Sequence, residues 1–141
     1  MPVIKYHFQT DLFRDQKTKK LGTVYRPYAR VKLGYGKKWS EKFIRALIDS
    51  GADTNVFPAS FATEIGIDYK KGTLKKITGI GGYEVESYIN LVKLKIEDKQ
   101  FETVIEFSES IQIPLLGREG FFNYFSYIKL RVKKRLLELK Y

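Results

Sequence analysis

The sequence contains no cysteine and a single histidine, His7, in a chain of 141 residues. Without cysteine the chain cannot form disulfide bonds, zinc–thiolate sites or a cysteine nucleophile. A serine or threonine nucleophile activated by histidine would depend on His7 alone, and metal sites built on histidine and cysteine clusters have no residues to form them. We therefore expect no metal and no cofactor. If the chain is an enzyme, its carboxylates must transfer the protons.

Long apolar runs are absent as well. The first ten residues, MPVIKYHFQT, lack the apolar segment of roughly 7–15 residues that a signal peptide requires. No apolar run approaches the about 18 residues of a membrane-spanning helix. We therefore expect a soluble, cytoplasmic protein with no membrane partner. The length favours one domain, which we place at residues 24–141, with an N-terminal extension at residues 1–23.

The formal charge is strongly positive, at +10 from 26 Lys and Arg and 16 Asp and Glu. Such a balance suggests a nucleic acid or another anionic partner. The basic residues are scattered, however, and most of the pairs, such as Lys37–Lys38 and Lys70–Lys71, fall where we predict loops. No motif of interleaved basic and aromatic residues stands out. The pattern therefore favours solvated loop lysines over a nucleic-acid partner.

Short runs with alternating apolar and polar residues indicate an all-β fold. The predicted strands are Val24–Leu33, Phe43–Ile48, a hairpin of Leu94–Glu97 and Phe101–Phe107, and a hairpin of Tyr127–Val132 and Leu136–Tyr141. Short helices are predicted at Pro58–Ile65 and Arg118–Phe125. We expect the first 20 residues to be the least ordered part of the chain.

The segment ALIDSGADTNVFP carries an acid at the end of an apolar run, because Asp49 follows Ala46–Ile48 directly. A lone ionised carboxylate in such a place is costly unless it is paired. The spacing of acids in DSGADTN does not match a calcium-binding loop. The glycine-rich segment Thr78–Gly82 lacks the Lys-Ser/Thr of a phosphate-binding loop, and its strand-like flanks predict a hairpin tip instead.

Three segments together resemble the retropepsins, the single-domain aspartic proteases related to those of retroviruses. ALIDSGAD, residues 46–53, is similar to the catalytic loop of that family. GIGG, residues 79–82, is similar to its flap tip. PLLGR, residues 114–118, is similar to the apolar pair, glycine and arginine that end its core. The resemblance covers about residues 43–125 and includes neither the first 23 residues nor the tail after Phe125.

The resemblance implies an all-β, closed barrel-like fold with a flap hairpin and one or two short helices. It also implies a homodimer, in which the two Asp49 carboxylates meet and activate one water to hydrolyse a polypeptide substrate. Two carboxylates so close share one proton. The pairing with a second copy would explain why Asp49 stands at the end of an apolar strand.

Further roles follow by position from the resemblance. Ser50, Gly51 and Ala52 complete the active-site loop, and the Ser50 hydroxyl bonds across the two-fold axis. Asp53 contacts the substrate main chain and forms an ion pair with Arg118, and the backbone N–H of Ile80 holds a water against the bound peptide. The other implied substrate-binding residues are Val56, Gly79, Gly81, Gly82, Ile113 and Leu115.

Apolar residues at Ala52, Val56, Ile113 and Leu115 would give the pockets a preference for apolar side chains around the cut, although ordinary core packing explains each of them equally well. Two alternative functions stay open. One is a non-catalytic, dimeric peptide-binding module with the same fold. The other is a basic nucleic-acid-binding β domain.

Overall fold

The computed structural model describes residues 2–78 and 81–141, which form a mostly β protein, so the predicted fold class is confirmed. The strands are β1 (Val3–His7), β2 (Gln9–Arg14), β3 (Leu21–Arg26), β4 (Tyr28–Tyr35), β5 (Lys38–Trp39), β6 (Ile44–Ile48), β7 (Asn55–Pro58), β8 (Thr73–Thr78), β9 (Glu84–Ile96), β10 (Lys99–Ser108), β11 (Leu115–Leu116), β12 (Tyr127–Arg131) and β13 (Leu136–Lys140). Helical segments are α1 (Ala59–Glu64) and 3₁₀ turns at Tyr69–Lys71 and Phe122–Tyr124. Within the described ranges, no helix has the length and apolar character needed to cross a membrane.

Six strands close into a barrel in the order β4-β6-β11-β7-β10-β9, and β9 pairs back onto β4. The closing contact is antiparallel and sets Lys32–Gly34 opposite Lys93–Lys95. Alternate residues of each strand point inward, because successive side chains of a β-strand face opposite sides. Leu33, Leu94 and Phe107 are fully buried in this way. The barrel therefore encloses the main core.

One parallel pairing brings two of the three resembling segments together, residues 46–53 and residues 114–118. β11 runs parallel to β6, with Leu115 opposite Leu47 and Leu116 opposite Ile48. Because parallel strands end at the same edge of a sheet, Asp49 and Gly117 follow neighbouring strand ends. β7 runs parallel to β10 beside them. The barrel thus brings residues separated by more than 60 positions in the sequence to one edge.

The first 20 residues contribute two strands, β1 and β2, which the sequence analysis did not predict. β1 pairs with β13, which also pairs with β12, so that β13 is the centre of a three-stranded sheet. Ile4 and Tyr6 of β1 pack against the core, and this burial explains their order. The division after residue 23 stays a prediction, and β3 extends across it.

The hairpin of β2 and β3 is held to the barrel through Asp11. The Tyr28 hydroxyl donates a hydrogen bond to its carboxylate, and Arg45 Nη2 lies 2.9 Å from Oδ1. The Tyr28 hydroxyl above all, together with the guanidinium groups of Arg45 and Arg26, lowers the pKa of Asp11 against the opposing effect of burial. These contacts attach the hairpin next to the strand that leads into Asp49.

Two predicted elements were wrong in detail. The strand predicted at Val24–Leu33 is divided at Pro27, which has no N–H to donate to a ladder. β3 therefore pairs with β2, whereas β4 joins the barrel. The helix predicted at Arg118–Phe125 is only the 3₁₀ turn at Phe122–Tyr124, because Gly120 has a φ of 94° and leaves the helical path.

Candidate active site

Asp49 occupies a tight turn directly after β6 and is half-buried. Its Oδ1 accepts a hydrogen bond of 2.9 Å from the backbone N–H of Gly51. Its own N–H donates to the carbonyl of Leu116 at 3.0 Å, and its carbonyl accepts from the N–H of Ala52 at 3.1 Å. The loop backbone and one carboxylate oxygen are therefore fixed by neighbouring amides, while Ser50 and Gly51 are exposed.

The segment after β11 runs beside this loop at very short range. The N–H of Arg118 donates to the carbonyl of Ala52 at 3.0 Å. A β-carbon built on Gly117 would lie 2.8 Å from the carbonyl oxygen of Ala52 and 2.6 Å from the carbonyl carbon of Thr54. Only glycine fits this contact, which explains the glycine of the PLLGR segment.

Asn55, at the start of β7, joins the loop to its surroundings and was missed by the sequence analysis. Its side chain is fully buried. Nδ2 donates to the carbonyls of Gly120 at 3.0 Å and Val104 at 3.2 Å, and Oδ1 accepts the N–H of Gly117 at 3.0 Å. The available signal was the alternation of NVFP, which places Asn55 on the same inward face as Phe57.

Arg118 and Asp53 are in contact, with Arg118 Nη2 donating to Asp53 Oδ1. In the single chain the two side chains are 57% and 77% exposed, respectively. Because solvent screens exposed ion pairs, this contact contributes little to the stability of one protomer. Any larger effect would require a partner that covers it.

The glycine-rich segment connects β8 and β9, which form an antiparallel hairpin with Thr78 opposite Glu84. Gly81 and Gly82 have φ angles of 90° and 81°, values that favour glycine. Two of the predicted substrate-binding residues, Gly79 and Ile80, lie outside the described residues.

A cavity of about 210 Å³ lies between this hairpin and the Asp49 loop. Its walls include three residues predicted to bind substrate, Ala52, Asp53 and Val56. Ile113 is exposed and Leu115 is half-buried, and neither belongs to the described walls. The cavity walls are mostly apolar, but one residue on β10 adds a buried carboxylate to them.

That residue is Glu106, whose side chain is only 4% exposed. Its carboxylate accepts hydrogen bonds from the hydroxyls of Thr54 and Ser87, the latter at 2.9 Å. Lys75 Nζ lies 3.3 Å from Oε1. An acid inside the apolar run VIEF was the signal that could have identified it. Among the described side chains, no group of three His, Asp or Glu is arranged to hold a metal ion.

Comparison with solved structures identifies the fold. A retropepsin-like aspartic protease from Rickettsia conorii superimposes with a TM-score of 0.60 at 18% identity, covering 95% of each chain. EIAV protease complexed with the inhibitor HBY-793 gives a TM-score of 0.49 at 23% identity, covering 74% of this chain and 88% of that one. The likeness to the Rickettsia conorii structure shows that the fold is retropepsin-like.

Comparison with protein families identifies the class. The family model described as aspartyl protease matches residues 31–119, from β4 to just beyond Arg118. No curated protein matches the chain. The chain belongs to the aspartyl protease family and is an aspartic-type peptidase.

Proposed function

We propose that the chain is an aspartic endopeptidase that acts as a homodimer, with Asp49 of both protomers in one active site. The observation that carries this proposal is the Asp49 loop. Its half-buried carboxylate accepts the N–H of Gly51, and its backbone is bonded to Leu116 of β11 and to Ala52. The chain has only one Asp-Ser/Thr-Gly sequence, so a second carboxylate of this kind must come from a second copy.

The chemistry follows from two carboxylates that share one proton. The ionised Asp49 removes a proton from a water molecule, and this water attacks the carbonyl carbon of the scissile peptide bond. The protonated Asp49 donates its proton to the carbonyl oxygen. Collapse of the resulting tetrahedral intermediate releases the amine and the acid, with no covalent enzyme intermediate and no cofactor. The Ser50 hydroxyl bonds to the backbone of the partner loop and keeps the two carboxylates together.

The substrate would lie in the space shared by the Asp49 loop and the β8–β9 hairpin. Gly51 lets the peptide backbone approach the carboxylates closely, since it has no side chain. Asp53 contacts the substrate main chain, and the hairpin of β8 and β9 lies over it as a flap. The cavity bounded by Ala52, Asp53 and Val56 supports this placement, because hairpin and loop form its opposite walls.

Cleavage of a peptide library between about pH 3 and 8 tests the proposal. A pair of carboxylates that must hold one proton gives a bell-shaped profile with its optimum at roughly pH 4–6. Specific activity is expected to fall on dilution, because the active species is a dimer. Cleavage that requires an added metal ion, or an undiminished specific activity in a sedimenting monomer, would refute the mechanism. Saturable peptide binding without cleavage would favour the non-catalytic module.

Arg118→Lys is expected to lower activity and weaken the dimer while leaving the stability of the single chain nearly unchanged. The ammonium of lysine cannot reproduce the planar guanidinium that holds Asp53. In one protomer the pair is exposed, so its loss costs less than about 1 kcal/mol. Dimer dissociation constants from sedimentation, kcat/KM and melting temperature at low protein concentration measure the three effects.

Arg131→Lys is the matched control for this substitution. Arg131 also forms an ion pair, with Nε 2.9 Å from Glu138 Oε1, but on the hairpin of β12 and β13. Equal losses of activity in both variants would mean that the Arg118 effect is a general effect of removing a surface guanidinium. Full activity and dimer affinity in Arg118→Lys would exclude a role for the pair.

A further inference from the structure

We propose that the cavity beside Asp53 is a specificity pocket for a lysine or arginine side chain of the substrate, with Glu106 as the group that recognises its charge. This inference rests on the proposed peptidase function and names the kind of residue that the site selects. It departs from the apolar preference expected from the sequence.

The position of the cavity makes it part of the substrate path. Lys75 on β8 and Ser87 on β9 stand opposite each other in the hairpin, and both side chains reach Glu106 on the barrel strand β10. On the other side the cavity meets Asp53, four residues after Asp49. A peptide held between hairpin and loop therefore passes the mouth of the cavity.

The cavity wall holds one carboxylate that a substrate cation could use. Asp53 is already paired with Arg118, so the charge available to a substrate is that of Glu106, which Lys75 balances in the free chain. The apolar walls come from Val56, Val85 and Ile111. A long aliphatic stem can pack against those walls while a cationic head reaches the carboxylate, as lysine and arginine side chains commonly do.

Lys75 acts as a replaceable counter-ion for Glu106. Its side chain is 40% exposed, whereas that of Glu106 is 4% exposed, so the ammonium can move into solvent and the carboxylate cannot. A buried carboxylate that loses its cation without replacement is strongly destabilised. A substrate lysine or arginine supplies the replacement, and an apolar side chain does not. The hydroxyls of Thr54 and Ser87 keep the carboxylate oriented during the exchange.

A pair of uncleavable peptides tests this inference without depending on catalysis. Both carry a hydroxyethylene group in place of the scissile bond, and one has lysine where the other has norleucine, an uncharged residue with a similar stem. The substitution is moved through the four positions on each side of the cut. At one position the wild-type chain is expected to bind the lysine peptide at least about tenfold more tightly.

Two variants then identify the recognising group. Glu106→Gln is expected to bring the ratio of the two affinities close to one, because the amide keeps the shape but not the charge. Lys75→Met is expected to raise the ratio, since the competing ammonium is gone. Circular dichroism checks the fold of both variants, and the ratio in whichever of the two folds decides.

The outcomes separate this inference from the proposed function. A ratio near one at every position, or an unchanged ratio in the folded Glu106→Gln or in Lys75→Met, would overturn the pocket while Asp49-dependent cleavage still stands. A lysine preference that Glu106→Gln removes supports the pocket even if the wild-type chain cleaves nothing. In that second case only the proposed endopeptidase activity fails.

Discussion

Asp49→Asn is expected to lower kcat for peptide cleavage by at least about a thousandfold, because asparagine can neither accept the proton of water nor donate one to the carbonyl oxygen. The fold should survive. The amide oxygen of asparagine can still accept the N–H of Gly51 that Oδ1 accepts now. Steady-state kinetics measures the loss, and an unchanged melting temperature shows that it is chemical.

Asp98→Asn, an exposed acid in the turn between β9 and β10, is the control for removing one negative charge. Mixing the Asp49→Asn chain with wild type gives a sharper test of the shared site. In an equal mixture whose chains exchange freely, about a quarter of the dimers are wild-type homodimers. If both carboxylates are needed, the activity is therefore about a quarter of that of wild type at the same total chain concentration. Activity that falls only by half would mean that each protomer works alone.

Gly117→Ala is expected to reduce the free energy of unfolding by about 3 kcal/mol or more and to abolish activity. The added methyl group would overlap the carbonyl of Thr54 and crowd that of Ala52, which are backbone atoms and cannot rotate away. Either the segment after β11 separates from the Asp49 loop or the loop itself moves. Urea denaturation followed by circular dichroism measures the stability.

Gly36→Ala is the comparison for this substitution. Gly36 has a φ of 60° and open space where a β-carbon would lie, so alanine there costs about 1–2 kcal/mol of backbone strain and touches nothing. Activity should persist in Gly36→Ala. A Gly117→Ala protein that is as stable and as active as Gly36→Ala would show that the close approach is not required.

The sequence indicated the strands and the Asp49 loop because these depend on local patterns. Alternation in β6 and β10 is visible in a single chain, and so is an acid that ends an apolar run. Closure of the barrel was implied by the resemblance alone, since the pairing of β4 with β9 leaves no mark on either strand by itself. Pro27 could have indicated the break between β3 and β4.

The polar residues of the site were the hardest to predict. Asn55 and Glu106 belong to residue types that are usually exposed. Their burial depends on partners that are distant in the sequence. For Asp53 and Arg118, the resemblance implied the contact but not the exposure of the pair. Exposure of that pair is a property of the protomer, whereas the resemblance describes an assembly.

The parallel pairing of β11 with β6 also bears on how fast the chain folds. Leu115 and Leu47 are 68 positions apart, and the contacts that close the barrel between β4 and β9 span about 60. Chains dominated by such distant contacts fold slowly, typically over milliseconds to seconds, because loop closure costs entropy before the contacts form. The backbone of Asp49 is held by Leu116, which joins only through this pairing. We therefore expect the turn that carries the carboxylate to acquire its shape only after β11 has paired with β6.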